Sequence, residues 1–334
     1  MKLPSRSRLA ILAFAFAVPL AGLIALDQVI VRAAPFWSWV AREFPRRTDD
    51  SFRAEAVLRS LPAGRENVIL LGNSRADDSV DVAALEQRFQ SRGLRFTNLT
   101  VVGSSLIDAA MRARQIAARK PGIVIAMTDA SSLRDEGWQA ETFAYDLAAA
   151  AAIFPLADFA REPAFHISGL IGEWNILARH RRSLQNTAWV GLGRQSFMRV
   201  RLNLIGEARQ RLQSESPAKS PVILWMKAHE PDPYPNPNTR ALTWLADTFA
   251  AAGTHFVVVE APLNPLMTAP RVAPKVERFR SYVEALAAER GFSFVPATRF
   301  PELDFPQFKD VIHLNERGRG VFTGALGDAL GPLL

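Results

Sequence analysis

Val68-Ile69-Leu70-Leu71-Gly72-Asn73-Ser74 decides how this chain is read. An uninterrupted apolar run of this length, ending in a glycine-containing turn, is a short strand inside a sheet. A helical pattern starts soon after. Asp81 is an N-cap candidate, Val82, Leu85 and Phe89 mark one face, and Gly93 ends the pattern. Strand, turn and helix in that order open a parallel crossover unit.

The same alternation recurs outward from this stretch. Phe96–Val102 reads as a second strand that ends in Gly103-Ser104-Ser105. The spacing predicts a helix over Ile107–Lys120, stopped by Pro121-Gly122. Ile123–Met127 is a third strand, entering Thr128-Asp129-Ala130-Ser131-Ser132. Residues 135–215, Ala-rich and Trp-containing, interrupt the alternation as a helical insertion or cap. Strands resume at Val222–Met226, His255–Glu260 and Phe292–Val295, with helices at Leu242–Ala252, Val276–Arg290 and Glu316–Leu330. Glu230–Pro237 holds four prolines in seven positions and must be a loop. The expected fold class is α/β: a parallel sheet with helices on both faces, occupying residues 66–334.

At 334 residues and 49% hydrophobic composition, the chain can bury a large core. It has no cysteine, which excludes disulfides, thiol nucleophiles and Cys-ligated metals. The net charge of +7 includes the cluster Arg179-His180-Arg181-Arg182 and Arg199, Arg201 and Arg209, which suit anionic glycans or phospholipid head groups. No aromatic residues are interleaved with these charges as stacking platforms, so no nucleic-acid partner is expected.

Lys2, Arg6 and Arg8 precede an uncharged stretch, Leu9–Leu26. Eighteen residues rise about 27 Å as a helix, close to the hydrocarbon thickness, and extension to Val31 completes a span. The expectation is a single-pass anchor in a bacterial inner membrane. Residues 1–31 form the cytoplasmic tip and transmembrane helix, 32–65 a juxtamembrane connection with a short helix at Ala54–Leu61, and the rest lies in the periplasm. Trp37 and Trp39 are then interfacial aromatics. The competing reading is a cleaved signal peptide.

In open parallel sheets ligands bind at the carboxyl ends of the strands. Ser74, Gly103, Thr128 and Asp129 all fall at that edge. So does Asp310-Val311-Ile312-His313, in which an acid three residues before a histidine can orient the imidazole. His313 can then act as base for Ser74 as nucleophile. The Ser74 and Gly103 N–H groups are candidate oxyanion donors. Asn73, Arg75, Asp129, His229 and Asn264 are candidates for substrate contact. His166, His180 and His255 lack metal-ligand spacing, and no glycine-rich phosphate loop is present. No metal and no cofactor are expected.

With these residues in place, the chain from about residue 70 to 334 resembles the SGNH, or GDSL-like, hydrolase superfamily. Leu71-Gly72-Asn73-Ser74-Arg75 is similar to its serine block, Asn98–Gly103 to its glycine block, and Asp310 with His313 to its final Asp-x-x-His block. The resemblance implies a three-layer flavodoxin-like fold and a Ser-His-Asp triad. One block departs from the pattern. Ala126-Met127-Thr128-Asp129 stands where the family carries Gly-x-Asn-Asp, so Thr128 occupies the place of an oxyanion-hole asparagine. The architecture is similar to the membrane-anchored branch that includes the D-alanyl transfer protein of teichoic acid systems and the alginate O-acetylation proteins. That likeness implies an acylated glycan or lipid substrate and a membrane-bound O-acyltransferase partner. Acyl transfer, plain carbohydrate or lipid ester hydrolysis, and a catalytically silent glycan- or partner-binding scaffold all stay open.

Overall fold

The structure is a computed structural model that describes residues 6–43, 50–133, 144–156, 160, 163–180, 234–270 and 272–334. In chain order the elements begin with α1 (Arg6–Leu26), α2 (Ala34–Glu43), α3 (Asp50–Ser60), β1 (Asn67–Leu71), α4 (Ser74–Ser79), α5 (Val82–Arg88) and β2 (Arg95–Asn98). They continue with α6 (Leu106–Ala110), α7 (Ala113–Ala117), β3 (Ile123–Thr128), α8 (Leu147–Ile153), α9 (Pro163–Trp174) and α10 (Ile176–Arg179). The last are α11 (Pro237–Ala251), β4 (His255–Glu260), α12 (Ala273–Arg290), β5 (Ser293–Val295) and α13 (Glu316–Leu330).

All neighbouring strands are parallel and run in the order β2-β1-β3-β4-β5. This is the order of doubly wound, flavodoxin-like sheets, whose direction of winding reverses between β1 and β3. Side chains alternate between two cores. Ile69, Leu71, Val124, Ala126, Phe256 and Val258 face one helical layer, which includes Leu242, Leu245 and Phe279. Val68, Leu70, Ile123, Ile125, Val257 and Val259 face the other, with Leu85, Phe322 and Leu326. Strands buried on both faces need no polar alternation, which is why they read as continuous apolar runs.

Several boundaries differ from expectation. β2 stops at Asn98 rather than Val102. The Asn98 side chain turns back, its Oδ1 accepting from Thr100 N (2.8 Å) and its Nδ2 donating to Asp77 Oδ1 (2.9 Å). The chain still follows β1, through Leu99 N to Leu70 O and Val101 N to Gly72 O, both 2.9 Å. The helix expected over Ile107–Lys120 is two short helices, α6 and α7, broken at the buried Arg112. The expected strand Val222–Met226 and His229 lie outside the described residues, as does most of the 135–215 insertion.

The N-terminal segment departs most. α1 ends at Leu26 and a π-helical turn, Asp27–Val31, follows. Asp27 is fully buried. Its carboxylate accepts from Leu177 N (2.9 Å) and pairs with Arg32 (3.3 Å). A buried acid tied to α10 pulls the chain into the body and ends the straight helix. Among the described residues no single helix is long and apolar enough to cross a membrane. Ala17–Val31 and Ala34–Val40 reach that length and composition only together, across a 76° bend. Trp37, expected as an interfacial aromatic, is buried in the body of the protein. It is 1% exposed and packs on Phe36, Phe52 and His180, with the Arg59 guanidinium over its ring. α2 and α3 are therefore a packed pair of helices sealed by an aromatic cluster.

Candidate active site

β1 delivers Gly72-Asn73-Ser74 to the point where the direction of winding reverses. Gly72 has φ +150°, and a Cβ there would lie 2.5 Å from Ala76 Cβ and 3.1 Å from Met127 O. Only glycine lets the turn fold so close to β3. Asn73 caps α4, its Oδ1 accepting from Arg75 N (3.0 Å), so its side chain is engaged in the turn itself. Ser74 is the first residue of α4 and is half-buried.

The partner arrives from the loop before α13. The Asp310 carboxylate has two tasks there. Oδ1 accepts from Ile312 N and His313 N, both 2.9 Å, which fixes the turn. Oδ2 accepts from His313 Nδ1 at 2.7 Å. The imidazole then presents Nε2 to Ser74 Oγ at 2.8 Å, across 239 residues of sequence. With Nδ1 donating to Asp310, Nε2 is left to accept the serine proton. Burial pushes the Asp310 carboxyl up, but the His313 hydrogen bond and charge and the two N–H groups outweigh it and hold it below the usual carboxylate range.

Other contacts hold the two pieces together. Lys309 Nζ pairs with Asp78 Oδ2 (2.8 Å), Arg319 Nη2 donates to Asp77 O (2.8 Å), and Asp81 N donates to Thr323 Oγ1 (2.9 Å). Thus α13 and its preceding loop are stitched to α4 and α5.

Gly103 lies on the same edge. Ser104 Oγ donates to Gly72 O (3.3 Å), and Asp77 Oδ1 accepts from Asn98 and from Thr100 Oγ1 (3.0 Å), so α4 and the Gly103 loop are one bonded unit. Gly103 is exposed, with φ +76° and open space where a Cβ would sit. Thr128 ends β3 at 2% exposure, and its hydroxyl has no hydrogen-bond partner among the described residues.

Arg75 and Asp129 are placed beneath this edge rather than on a surface open to substrate. Arg75 is 3% exposed, forms an ion pair with Asp129, and donates through Nη2 to Pro262 O (2.8 Å). Burial lowers the guanidinium to about 10, against the opposing pull of Glu260 and Asp310, and it stays a cation at neutral pH. Asp129 Oδ1 also accepts from Ser131 Oγ (2.6 Å) and Ser132 N (2.8 Å). Asn264 is 1% exposed, and its Oδ1 caps a 3-10 turn by accepting from Leu266 N (3.0 Å). Sequence reasoning missed Asp77 and Glu260. Glu260 is buried at the end of β4 and accepts from Arg280 Nε (2.8 Å) and Ala297 N (2.7 Å). A carboxylate closing the apolar run Phe256–Val259 was the available signal for it.

No family model matches this chain, and no curated protein matches it. Among solved structures, TesA is similar at 15% identity and TM-score 0.41, covering 80% of this chain and 99% of that one. LAE5, an alpha/beta hydrolase enzyme from the metagenome of Lake Arreo, Spain, is similar at 16% identity and TM-score 0.42, covering 82% and 98%. A catalytic mutant of Axe2, an acetylxylan esterase from Geobacillus stearothermophilus, is similar at 14% identity and TM-score 0.41, covering 81% and 95%. At such values these likenesses decide nothing about chemistry, which rests on the geometry of this chain.

Proposed function

We propose that this protein is a serine esterase or O-acyltransferase of SGNH type, anchored through Leu9–Leu26 with its catalytic domain outside the inner membrane. Its substrates are acyl esters of cell-surface or exported polysaccharide. The observation that carries the proposal is the hydrogen-bonded row Ser74–His313–Asp310 at the carboxyl edge of the sheet. An apolar segment preceded by Lys2, Arg6 and Arg8 supports the anchor.

In this reading Ser74 Oγ attacks the ester carbonyl carbon while its proton passes to His313 Nε2. Asp310 orients the imidazole and stabilises the imidazolium. The Ser74 and Gly103 N–H groups, with the Thr128 hydroxyl as third donor, receive the developing oxyanion. Collapse breaks the ester C–O bond, and the leaving alkoxide takes the proton back from His313. The acyl-serine is then attacked by water, giving hydrolysis, or by a glycan hydroxyl, giving transfer. A membrane-bound O-acyltransferase is the partner that would supply acyl groups for transfer.

The test is labelling of the full chain by a fluorophosphonate probe, with the modified residue mapped by mass spectrometry. Labelling at Ser74, lost in His313→Ala and slowed on the order of 10²–10⁴-fold in Asp310→Asn, is the expected result. A folded chain that takes no label at Ser74 would refute the proposal.

A further inference from the structure

α9 is apolar on both of its faces. Inward, Phe165 and His166 are buried, the Tyr145 hydroxyl lies 2.8 Å from His166 Nδ1, and Gly169 lets the helix close on the Tyr145 ring. Outward, Ile167, Leu170, Ile171 and Trp174 recur at i, i+3, i+4 and i+7 and are 59, 43, 53 and 65% exposed. A surface helix normally carries charged and polar residues on that face. Here Ser168 is the polar residue on it. An exposed apolar stripe of this kind marks an interaction site.

The position of the stripe identifies its occupant. The C-terminal end of α9 is fastened to the end of the apolar helix α1, because Arg32 Nη2 donates to Trp174 O (2.9 Å) and Glu173 O (3.4 Å). Asp27 accepts from Leu177 N one turn later. Beside this junction Leu26, Val29 and Ile30 are themselves exposed, and Phe14, Val18 and Leu20 continue the apolar surface along α1. The stripe is thus an extension of the uncharged part of α1, Leu9–Leu26. It offers almost no hydrogen-bonding groups to a protein partner, and Trp174 at its end suits a headgroup boundary.

We infer that the outward face of α9 lies on the phospholipid bilayer that α1 enters, as an interfacial helix seated about 5–10 Å into the headgroup–acyl boundary. The inference rests on the reading of α1 as a membrane segment. It makes the domain monotopic as well as anchored: one helix inserts and a second, locked to it, rests alongside on the surface.

The chain has no cysteine, so each introduced thiol is unique. Full-length Val18→Cys, Ile167→Cys, Ile171→Cys and Gly320→Cys variants would be labelled with the fluorophore NBD. They would be reconstituted into phosphatidylcholine–phosphatidylglycerol vesicles containing lipids spin-labelled at shallow or deep acyl positions. Gly320 lies on α13, on the opposite face of the sheet. The expected result is quenching at 18 by the deep label, quenching at 167 and 171 by the shallow label, and none at 320. Quenching at 18 with 167 and 171 in water would overturn the inference and leave the anchor standing; that outcome would assign the stripe to a protein. No quenching at 18 would remove the anchor reading itself.

Discussion

Arg75 and Asp129 form a buried ion pair directly beneath Ser74, joining the residue after the candidate nucleophile to the end of β3. Because Arg75 also donates to Pro262 O, one guanidinium ties the carboxyl ends of β1, β3 and β4 together. An arginine suits this task because its planar fork can serve a carboxylate and a carbonyl at once. A residue so tied, next in sequence to Ser74, is placed to hold the Ser74 turn against the sheet.

Arg75→Met should therefore be costly in two ways. Leaving Asp129 charged, buried and unpaired should destabilise the fold by about 3–5 kcal/mol, read as a shift in the denaturant midpoint. Even where the variant remains folded, displacement of the turn should slow fluorophosphonate labelling of Ser74 by on the order of 10²-fold. Arg75→Met combined with Asp129→Asn should recover part of the stability. Wild-type labelling in a folded Arg75→Met variant would show that the pair has no part in positioning Ser74.

Thr128 separates catalytic from structural roles in another way. Among the described residues its buried hydroxyl has no hydrogen bond to lose, so Thr128→Val should be neutral or slightly stabilising. If the hydroxyl receives the oxyanion, ester turnover should fall on the order of 10²–10³-fold while the unfolding midpoint holds. An unchanged rate would leave the oxyanion to the Ser74 and Gly103 N–H groups.

His180 gives the fold an acid limit. Burial between Trp37 and Phe52 holds its imidazole at about 3; Glu55 opposes this and Arg179, Arg59 and Arg112 add to it. An unfolded histidine titrates near 6.5. Below that pH the unfolded chain takes a proton that the folded chain refuses, so this stability is complete above about pH 6.5 and is lost as pH falls towards 3. At pH 5 the loss should be about 2 kcal/mol. Glu55, which Arg59 and Arg179 hold below its usual range against burial, adds a further loss only at lower pH. Thermal melts at pH 7 and pH 5 should show the drop, and His180→Phe should flatten it. A pH-independent melt in the native chain would contradict the buried neutral imidazole.

The sequence made the strand–turn–serine and the Asp-x-x-His loop legible because each is local. A run of apolar residues ending at glycine, and an acid one turn from a histidine, state their own geometry. It could not show which way a side chain faces. Arg75 looked available to substrate because it follows Ser74, yet α4 turns it inward onto Asp129. Trp37 looked like an interfacial anchor because it follows an apolar helix, yet Asp27 bends the chain and buries it. The α6–α7 break was hidden because the apolar spacing runs on past Arg112, whose burial among Glu55 and Asp108 the pattern does not encode.

The buried Asp27 and the Trp37–Phe52–His180 cluster bear on reach. The turn Asp27–Val31, α2 and α3 form a bracket and not a leash: buried contacts hold them to one another and to α10. For a chain whose α1 enters a bilayer, Ser74 then works at one fixed altitude, and an ester must be carried to that level to meet it.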